Sequence, residues 1–90
     1  MAVQIQIPTP LREHTQGQIT VTAAGGTVRD ALQDLCRQHP ALTARLFDRG
    51  QVRPHLNIFL NEEDIRYLDE LSTATKDGDK LDIIPAVAGG

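Results

Sequence analysis

Tryptophan is missing from the chain, cysteine and methionine occur once each, and the aromatic set is only Phe47, Phe59 and Tyr67. A lone cysteine excludes an internal disulfide, which fits a reducing compartment. No apolar run is long enough to span a bilayer, and no basic, hydrophobic leader of the kind that opens a secreted precursor is visible. Positive charge is also scarce. Nine Lys and Arg against twelve Asp and Glu give a formal charge of -3, which argues against a grip on nucleic-acid phosphates or anionic membranes. The expected setting is the cytoplasm, with neither nucleic acid nor membrane among the partners.

What is present is an ordinary soluble composition, 40% hydrophobic and drawn mainly from Leu, Ile, Val and Ala. Ninety residues make one domain, because two halves would each lack the chain to bury a core. A domain of this size buries roughly 60% of the surface that its unfolded chain exposes.

Val3, Ile5 and Ile7 alternate with Gln4 and Gln6, the pattern of a half-buried strand, and Pro8 and Pro10 end it for want of a ladder donor. After a polar stretch to Gly17, Ile19 and Val21 alternate with Gln18, Thr20 and Thr22. This second strand is expected to form a hairpin with the first across a ten-residue gap. Gly25-Gly26 breaks the chain, and Thr27 is an expected N-cap with Asp30 three positions on. Val28, Ala31, Leu32, Leu35 and Cys36 then fall on one helix face, closed by His39-Pro40.

Leu42, Leu46 and Phe47 suggest a short second helical piece, ending near Asp48-Arg49-Gly50. A strand follows over 56–60 with Leu56, Ile58 and Leu60 on one face, and Asn57 and Phe59 on the other. Asn61-Glu62-Glu63-Asp64 turns the chain into a short strand around 65–68. Asp77-Gly78-Asp79 then introduces the last strand over 80–84, with Leu81 and Ile83 inward and Ile84 outward. Two strands, one main helix and a further run of strands make an α+β protein with the helix packed on one sheet face.

The final fourteen residues, from Asp77-Gly78-Asp79 through Leu81, Ile83-Ile84-Pro85 and Ala86-Val87-Ala88-Gly89-Gly90, resemble the end of the MoaD/ThiS-type ubiquitin-like sulfur carriers. Those carriers end in an Asp-Gly-Asp turn, an apolar strand, a proline and a free Gly-Gly. Ile7-Pro8-Thr9 with Leu11-Arg12, His14-Thr15 and Gly17-Gln18 is similar to the opening of the CysO branch. Leu56-Asn57-Ile58-Phe59-Leu60-Asn61 with Glu63-Asp64 and Arg66 is similar to that branch's third strand and turn.

The resemblance implies a β-grasp domain over 1–85, with a mixed sheet of four to five strands whose first and last lie side by side, and a Gly-Gly tail over 86–90. It also implies the chemistry. An E1-like activating enzyme of the MoeB/ThiF type uses ATP to adenylate the terminal Gly90. Sulfur from a donor then displaces AMP and leaves a thiocarboxylate. Ala86, Val87, Ala88 and Gly89 form the arm that enters a partner, where the two glycines permit close backbone approach. No cofactor is bound by the carrier itself, since no phosphate-cradling glycine loop is present; ATP and the sulfide donor are used by the activating enzyme.

CysO-like carriers serve cysteine synthesis through a cysteine synthase, with a metalloprotease releasing the product. MoaD-like carriers serve as the small subunit of molybdopterin synthase, and a third fate is conjugation to target lysines through Gly90. A plain interaction domain with an inert tail is a further alternative. An independent enzyme has the least support, because no acid–base pair or triad is apparent. The free protein is expected to be a monomer.

A carrier must dock, and Phe59 and Ile84 are expected on one outer sheet face beside the tail. Cys36 reads as a buried packing residue, without the companions of a nucleophile. His14, His39 and His55 lack ligand spacing, so no metal site is expected. Glu62, Glu63 and Asp64 read as a solvated turn, and Arg45, Arg49, Arg53 and His55 as a basic stretch, either a solvated loop or a complement to an acidic partner surface.

Overall fold

The alternating opening segment becomes strand β1 (Ala2–Gln6), with Val3 and Ile5 fully buried and Gln4 and Gln6 half-exposed on the opposite face. The computed structural model describes residues 2–85. β1 pairs antiparallel with β2 (Thr20–Ala24), Ile5 standing opposite Val21, which is the expected hairpin. Its long connection is a 3-10 helix, Thr9–Thr15. Thr15 at its end is fully buried, its hydroxyl lying 3.1 and 3.0 Å from the carbonyl oxygens of Arg12 and Gln18.

Ile19 departs from expectation: it is 56% exposed rather than turned inward with Val21. β1 ends at Gln6, and past it the Ile7 N–H donates to the Ile19 carbonyl at 2.7 Å, so Ile19 lies outside the ladder that fixes side chains inward.

Helix α1 (Val28–Gln38) starts where the cap residue requires it, the Thr27 side chain accepting from the Asp30 N–H at 3.2 Å. Its buried residues are Val28, Ala31, Leu32, Leu35 and Cys36, the face that the spacing marks out. The polar side of the helix finishes the outer edge of β2. The Ala24 N–H donates to Asp34 at 2.9 Å, and the Gln38 amide donates to the Thr22 carbonyl at 2.9 Å, so the sheet's outermost strand is covered rather than left open.

After a 3-10 turn (Pro40–Leu42) comes the four-residue helix α2 (Thr43–Leu46). Phe47 is not helical: it opens a two-stranded ribbon, β3 (Phe47–Asp48) with β4 (Gln51–Val52), turned by Arg49 and Gly50 at positive φ. β5 (Leu56–Leu60) follows, with Leu56, Ile58 and Leu60 buried. Asn61 and Glu62, both at positive φ, form a two-residue turn into β6 (Glu63–Asp64).

The short strand is therefore two residues earlier than expected, and the segment around 65–68 is a 3-10 turn (Ile65–Tyr67). Asp64 explains the switch. Its carboxylate accepts from the Arg66 N–H at 2.9 Å and caps that turn, which bends the chain off the sheet. Asp64 is thus buried and paired, not part of a solvated loop.

The last strand, β7 (Lys80–Pro85), lies at the centre of a five-stranded sheet in the order β2-β1-β7-β5-β6. It runs parallel to β1, with Ile5 opposite Leu81, and antiparallel to β5, with Ile58 opposite Ile83. The side-by-side first and last strands of a β-grasp are present. Pro85 belongs to the strand, opposite Leu56. The Asn61 N–H donates to Lys80, so backbone bonding to β5 falls on alternate residues from Lys80 onward, and the missing Pro85 donor faces away from β5. β1 pairs with β7 no further than Asp82, so the proline removes no ladder bond there.

Candidate functional site

The Asp-Gly-Asp turn clamps the start of β7 to the start of β1. Gly78 has φ +89, a conformation costly for residues with a Cβ, and its N–H donates to the Ala2 carbonyl at 2.8 Å. Asp77 accepts from the Ala2 N–H at 3.0 Å, and the Gln4 N–H donates to the Asp79 carbonyl at 2.8 Å. Asp79 also accepts from the Lys76 N–H at 2.7 Å and from the Asn61 amide at 3.0 Å. That Asn61 bond, followed by the turn's N–H, holds the Asp79 carboxyl below its ordinary range. The turn sets the register in which β7 enters the sheet and therefore where the strand delivers the chain at Pro85.

Pro85 is the last described residue. Ala86, Val87, Ala88, Gly89 and Gly90 lie outside the described residues. Pro85 itself, from which the expected tail would start, stands opposite Leu56 at the end of the described part of β7.

Beside that root, on the sheet face away from α1, the pairing puts Asn57 opposite Ile84 and Phe59 opposite Asp82. Phe59 and Ile84 are diagonal neighbours on that face, roughly 7–8 Å apart by sheet geometry. Ile84 is 44% exposed and Phe59 half-buried. The rest of the face is polar, with Gln4, Gln6, Asn57 and Asp82, so the apolar group is small and bounded.

One guanidinium adjoins this patch. Arg66 donates to Asp64 through Nε (3.1 and 3.2 Å) and Nη2 (2.7 Å), and to the Asn57 side-chain oxygen through Nη2 (2.9 Å). The Arg66 bonds hold the Asp64 carboxyl below its ordinary range, and Asp64 raises Arg66 in turn. The guanidinium is therefore positioned next to the Ile84 partner while its side chain stays 62% exposed. In the sequence Glu63 and Asp64 read as part of a solvated turn, and Arg66 enters only through the resemblance; the signal for the pair is the acidic residue two positions before an arginine at a turn.

Along the edge of β5 runs a groove of about 470 Å3, between the β3–β4 ribbon and the segment 65–72. Its walls include Arg29, Arg49, Arg53 and Arg66 over a floor of Leu56, Ile58 and Ile65. The basic stretch seen in sequence is divided by the fold: Arg49 sits at the ribbon turn, and Arg53 is tied back by donating from Nε to the Ala44 carbonyl at 2.8 Å. Arg45 and His55 do not line this groove.

Cys36 packs in the core, and burial pushes its thiol up, away from the thiolate form. His14 lies 3.4 Å from Glu13; His39 caps the end of α1, and His55 is exposed in the loop before β5. Among the described residues no three His, Cys, Asp or Glu side chains are grouped to hold a metal ion, and no helix is long and apolar enough to cross a membrane.

Comparison with known proteins agrees with this architecture. The model of the ThiS family matches residues 5–90. The chain is 43% identical to "Sulfur carrier protein CysO" of Mycobacterium tuberculosis over 93 aligned positions, covering all of both chains. It is 41% identical to "Small archaeal modifier protein 3" of Haloferax volcanii over 64 positions, covering 71% of this chain and 70% of that one. Among solved structures, a chain of the BexX/CysO complex of Amycolatopsis orientalis superposes with a TM-score of 0.91 at 42% identity, over 98% of this chain and 99% of that one. The parallel β1–β7 centre, the helix-covered face, the clamped turn ahead of β7 and a match over nearly the whole length lead to one assignment: this chain belongs to the ThiS family of ubiquitin-like β-grasp carriers.

Proposed function

We propose that the protein is a sulfur carrier whose terminal Gly90 is adenylated and converted to a thiocarboxylate that donates sulfide, in the first instance for cysteine biosynthesis. The observation that carries the reading is full-length similarity to a sulfur carrier protein, joined to a strand described as far as Pro85, opposite Leu56, with five residues after it that close in Gly-Gly. The chain acts as a co-substrate rather than an enzyme.

The chemistry divides between body and arm. A carboxylate resists attack until its oxygen becomes part of a good leaving group. Adenylation by an E1-like enzyme forms an acyl–phosphate bond with release of pyrophosphate. Hydrosulfide from the donor then attacks the Gly90 carbonyl carbon, AMP departs with the bonding pair, and loss of the sulfur's proton leaves the thiocarboxylate. ATP and the donor are handled by the activating enzyme. The body supplies the fixed root at Pro85, and the residues Ala86, Val87, Ala88 and Gly89 span the distance to a reacting centre, up to about 3.3–3.6 Å per residue when extended. Phe59 and Ile84 are the docking residues of this reading, a bounded apolar group beside the root.

A second reading, conjugation through Gly90 to target lysines, draws on the similarity to the archaeal modifier. It shares the adenylate step, but its match covers less of both chains than the match to CysO. A role as small subunit of molybdopterin synthase rests on the family resemblance. Incubation with the host's activating enzyme, ATP and sulfide, with the product then offered in parallel to O-phosphoserine with candidate cysteine synthases, to host proteins bearing lysines, and to a molybdopterin precursor with its synthase, separates the three. Free or adducted cysteine supports the first reading. Isopeptide-linked products, or sulfur delivered only to a molybdopterin precursor, support the others.

A further inference from the structure

The groove beside the tail root has an unfinished wall. β6 pairs with β5 only at Phe59 and Leu60, so among the described residues no strand flanks residues 56–58 on that side. The Asn61 N–H bonds to Lys80, which sets the alternation: the backbones of Asn57 and Phe59 turn to β7, while those of Leu56 and Ile58 turn the other way. The Leu56 N–H is taken by the Arg53 carbonyl at 3.0 Å, so the edge offers the Leu56 carbonyl and the Ile58 N–H, the pair that one residue of an extended segment uses. An extended segment laid there meets a strand edge, an apolar floor of Leu56, Ile58 and Ile65, and a volume of about 470 Å3, inside the range of ligand-binding clefts.

Charge selects the occupant. The whole chain carries -3, yet Arg29, Arg49 and Arg53 line this one groove. Among the described residues the ion pairs are Arg37 with Asp34, Arg66 with Asp64 and His14 with Glu13, so these three arginines are in none. Asp64 is committed to Arg66, and Asp69 and Glu70 offset two of the three, which leaves the lining one positive charge in excess on a chain that is negative as a whole. Arg49, at the ribbon turn, stands on the wall away from Asp69 and Glu70.

We propose that the groove receives an extended, carboxylate-bearing segment of the protein that loads or unloads the tail, laid along residues 56–58 of β5 with its acidic side chains toward the arginines. The partner's identity rests on the carrier reading; the binding chemistry does not. Because the groove opens beside Leu56, the residue opposite Pro85, a partner held there has the arm directly at hand.

The test is a titration of the 15N-labelled full chain with two end-capped hexapeptides, one alternating Asp with Val and the other Lys with Val, followed by amide chemical shifts. Expected are saturable shifts centred on Val52, Asn57, Ile58 and Ser72 with the acidic peptide, at least about tenfold tighter than with the basic one. Arg29→Glu and Arg49→Glu are each expected to weaken the acidic peptide about fivefold while leaving the rest of the spectrum unchanged. Both side chains are exposed, and neither substitution alters the backbone requirement at its position. Absence of saturable shifts, equal binding of the two peptides, shifts on another surface, or indifference to both variants overturns the proposal. So does finding the groove filled without peptide, by the chain's own tail (groove shifts on deleting residues 86–90) or by a second copy (slower tumbling with concentration). The titration involves no sulfur, ATP or activating enzyme, so its failure leaves the thiocarboxylate reading standing, and an unloaded Gly90 leaves the groove standing.

Discussion

The side-chain amide of Asn61 donates to Asp79 at 3.0 Å while its oxygen accepts from the Lys80 N–H at 3.0 Å, so one residue at the β5–β6 turn grips both the Asp-Gly-Asp turn and the first residue of β7. Asn61 does this from φ 48, a conformation that asparagine tolerates better than most residues with a Cβ. Asn61→Ala loses both bonds and adds backbone strain, for an expected cost of about 2 kcal/mol in urea unfolding. Asn61→Gly relieves the strain but not the lost bonds and is expected to be less damaging. Equal stability of Asn61→Ala and the parent contradicts the clamp.

The same clamp has a pH signature. Asp79, Asp64 and Asp34 are all held below the ordinary carboxylate range: Asp79 chiefly by Asn61, Asp64 chiefly by Arg66, and Asp34 chiefly by the Ala24 N–H. A carboxyl depressed in the folded state stabilises the fold above its unfolded pKa of about 3.9 and loses that contribution as pH falls through the lower folded value. Stability is therefore expected to be level with respect to these groups near pH 6 and to drop below about pH 4. Asp79→Asn is expected to lower stability at pH 6 and to make the acid drop shallower. An unchanged acid slope in that variant contradicts the assignment.

The two glycines before α1 have different duties. A Cβ on Gly25 meets the Ala31 nitrogen at 2.5 Å and the Asp30 carbonyl carbon at 2.8 Å, both helix backbone, whereas one on Gly26 meets nothing within 4 Å. Gly25→Ala is expected to cost about 1–3 kcal/mol, since α1 must shift. Gly26→Ala is expected to be within about 0.5 kcal/mol of neutral. Thermal unfolding of the pair decides it, and equal effects refute the close approach of α1 to this loop.

Much of this architecture is readable in the residues, because each element carries its own period. The two-residue alternation of β1, β5 and β7 and the five apolar positions of α1 match the buried set, and Thr27 caps where a cap residue precedes the apolar face. What escapes reading is decided by tertiary geometry. The β3–β4 ribbon has only two residues per strand, too few to show a period, and depends on Arg49 and Gly50 reversing the chain. The end of β6 depends on Asp64 bonding to Arg66, a local side-chain choice that hydropathy does not register. The parallel pairing of β1 with β7 joins residues about as far apart as the chain permits, so no local period shows it and only the family resemblance implies it.

The division between docking face and core makes opposite predictions for adjacent residues. Ile84→Asp, on the open face, is expected to leave unfolding within about 0.5 kcal/mol of the parent while slowing loading by the activating enzyme about tenfold, or 1.4 kcal/mol. Ile83→Ala, one residue back and buried against the helix side, is expected to cost about 2–4 kcal/mol in stability. Loading kinetics and denaturant titration of both variants check this. Normal loading of Ile84→Asp removes that residue from the docking face.

The most direct measurement is the intact mass of the purified chain before and after incubation with its host's activating enzyme, ATP and a sulfide donor. The account predicts a gain equal to one sulfur in place of one oxygen, confined to the terminal peptide and abolished by deleting Gly90, with the amide spectrum of residues 2–85 unchanged by that deletion. A terminal mass that stays that of an ordinary carboxylic acid under those conditions contradicts it.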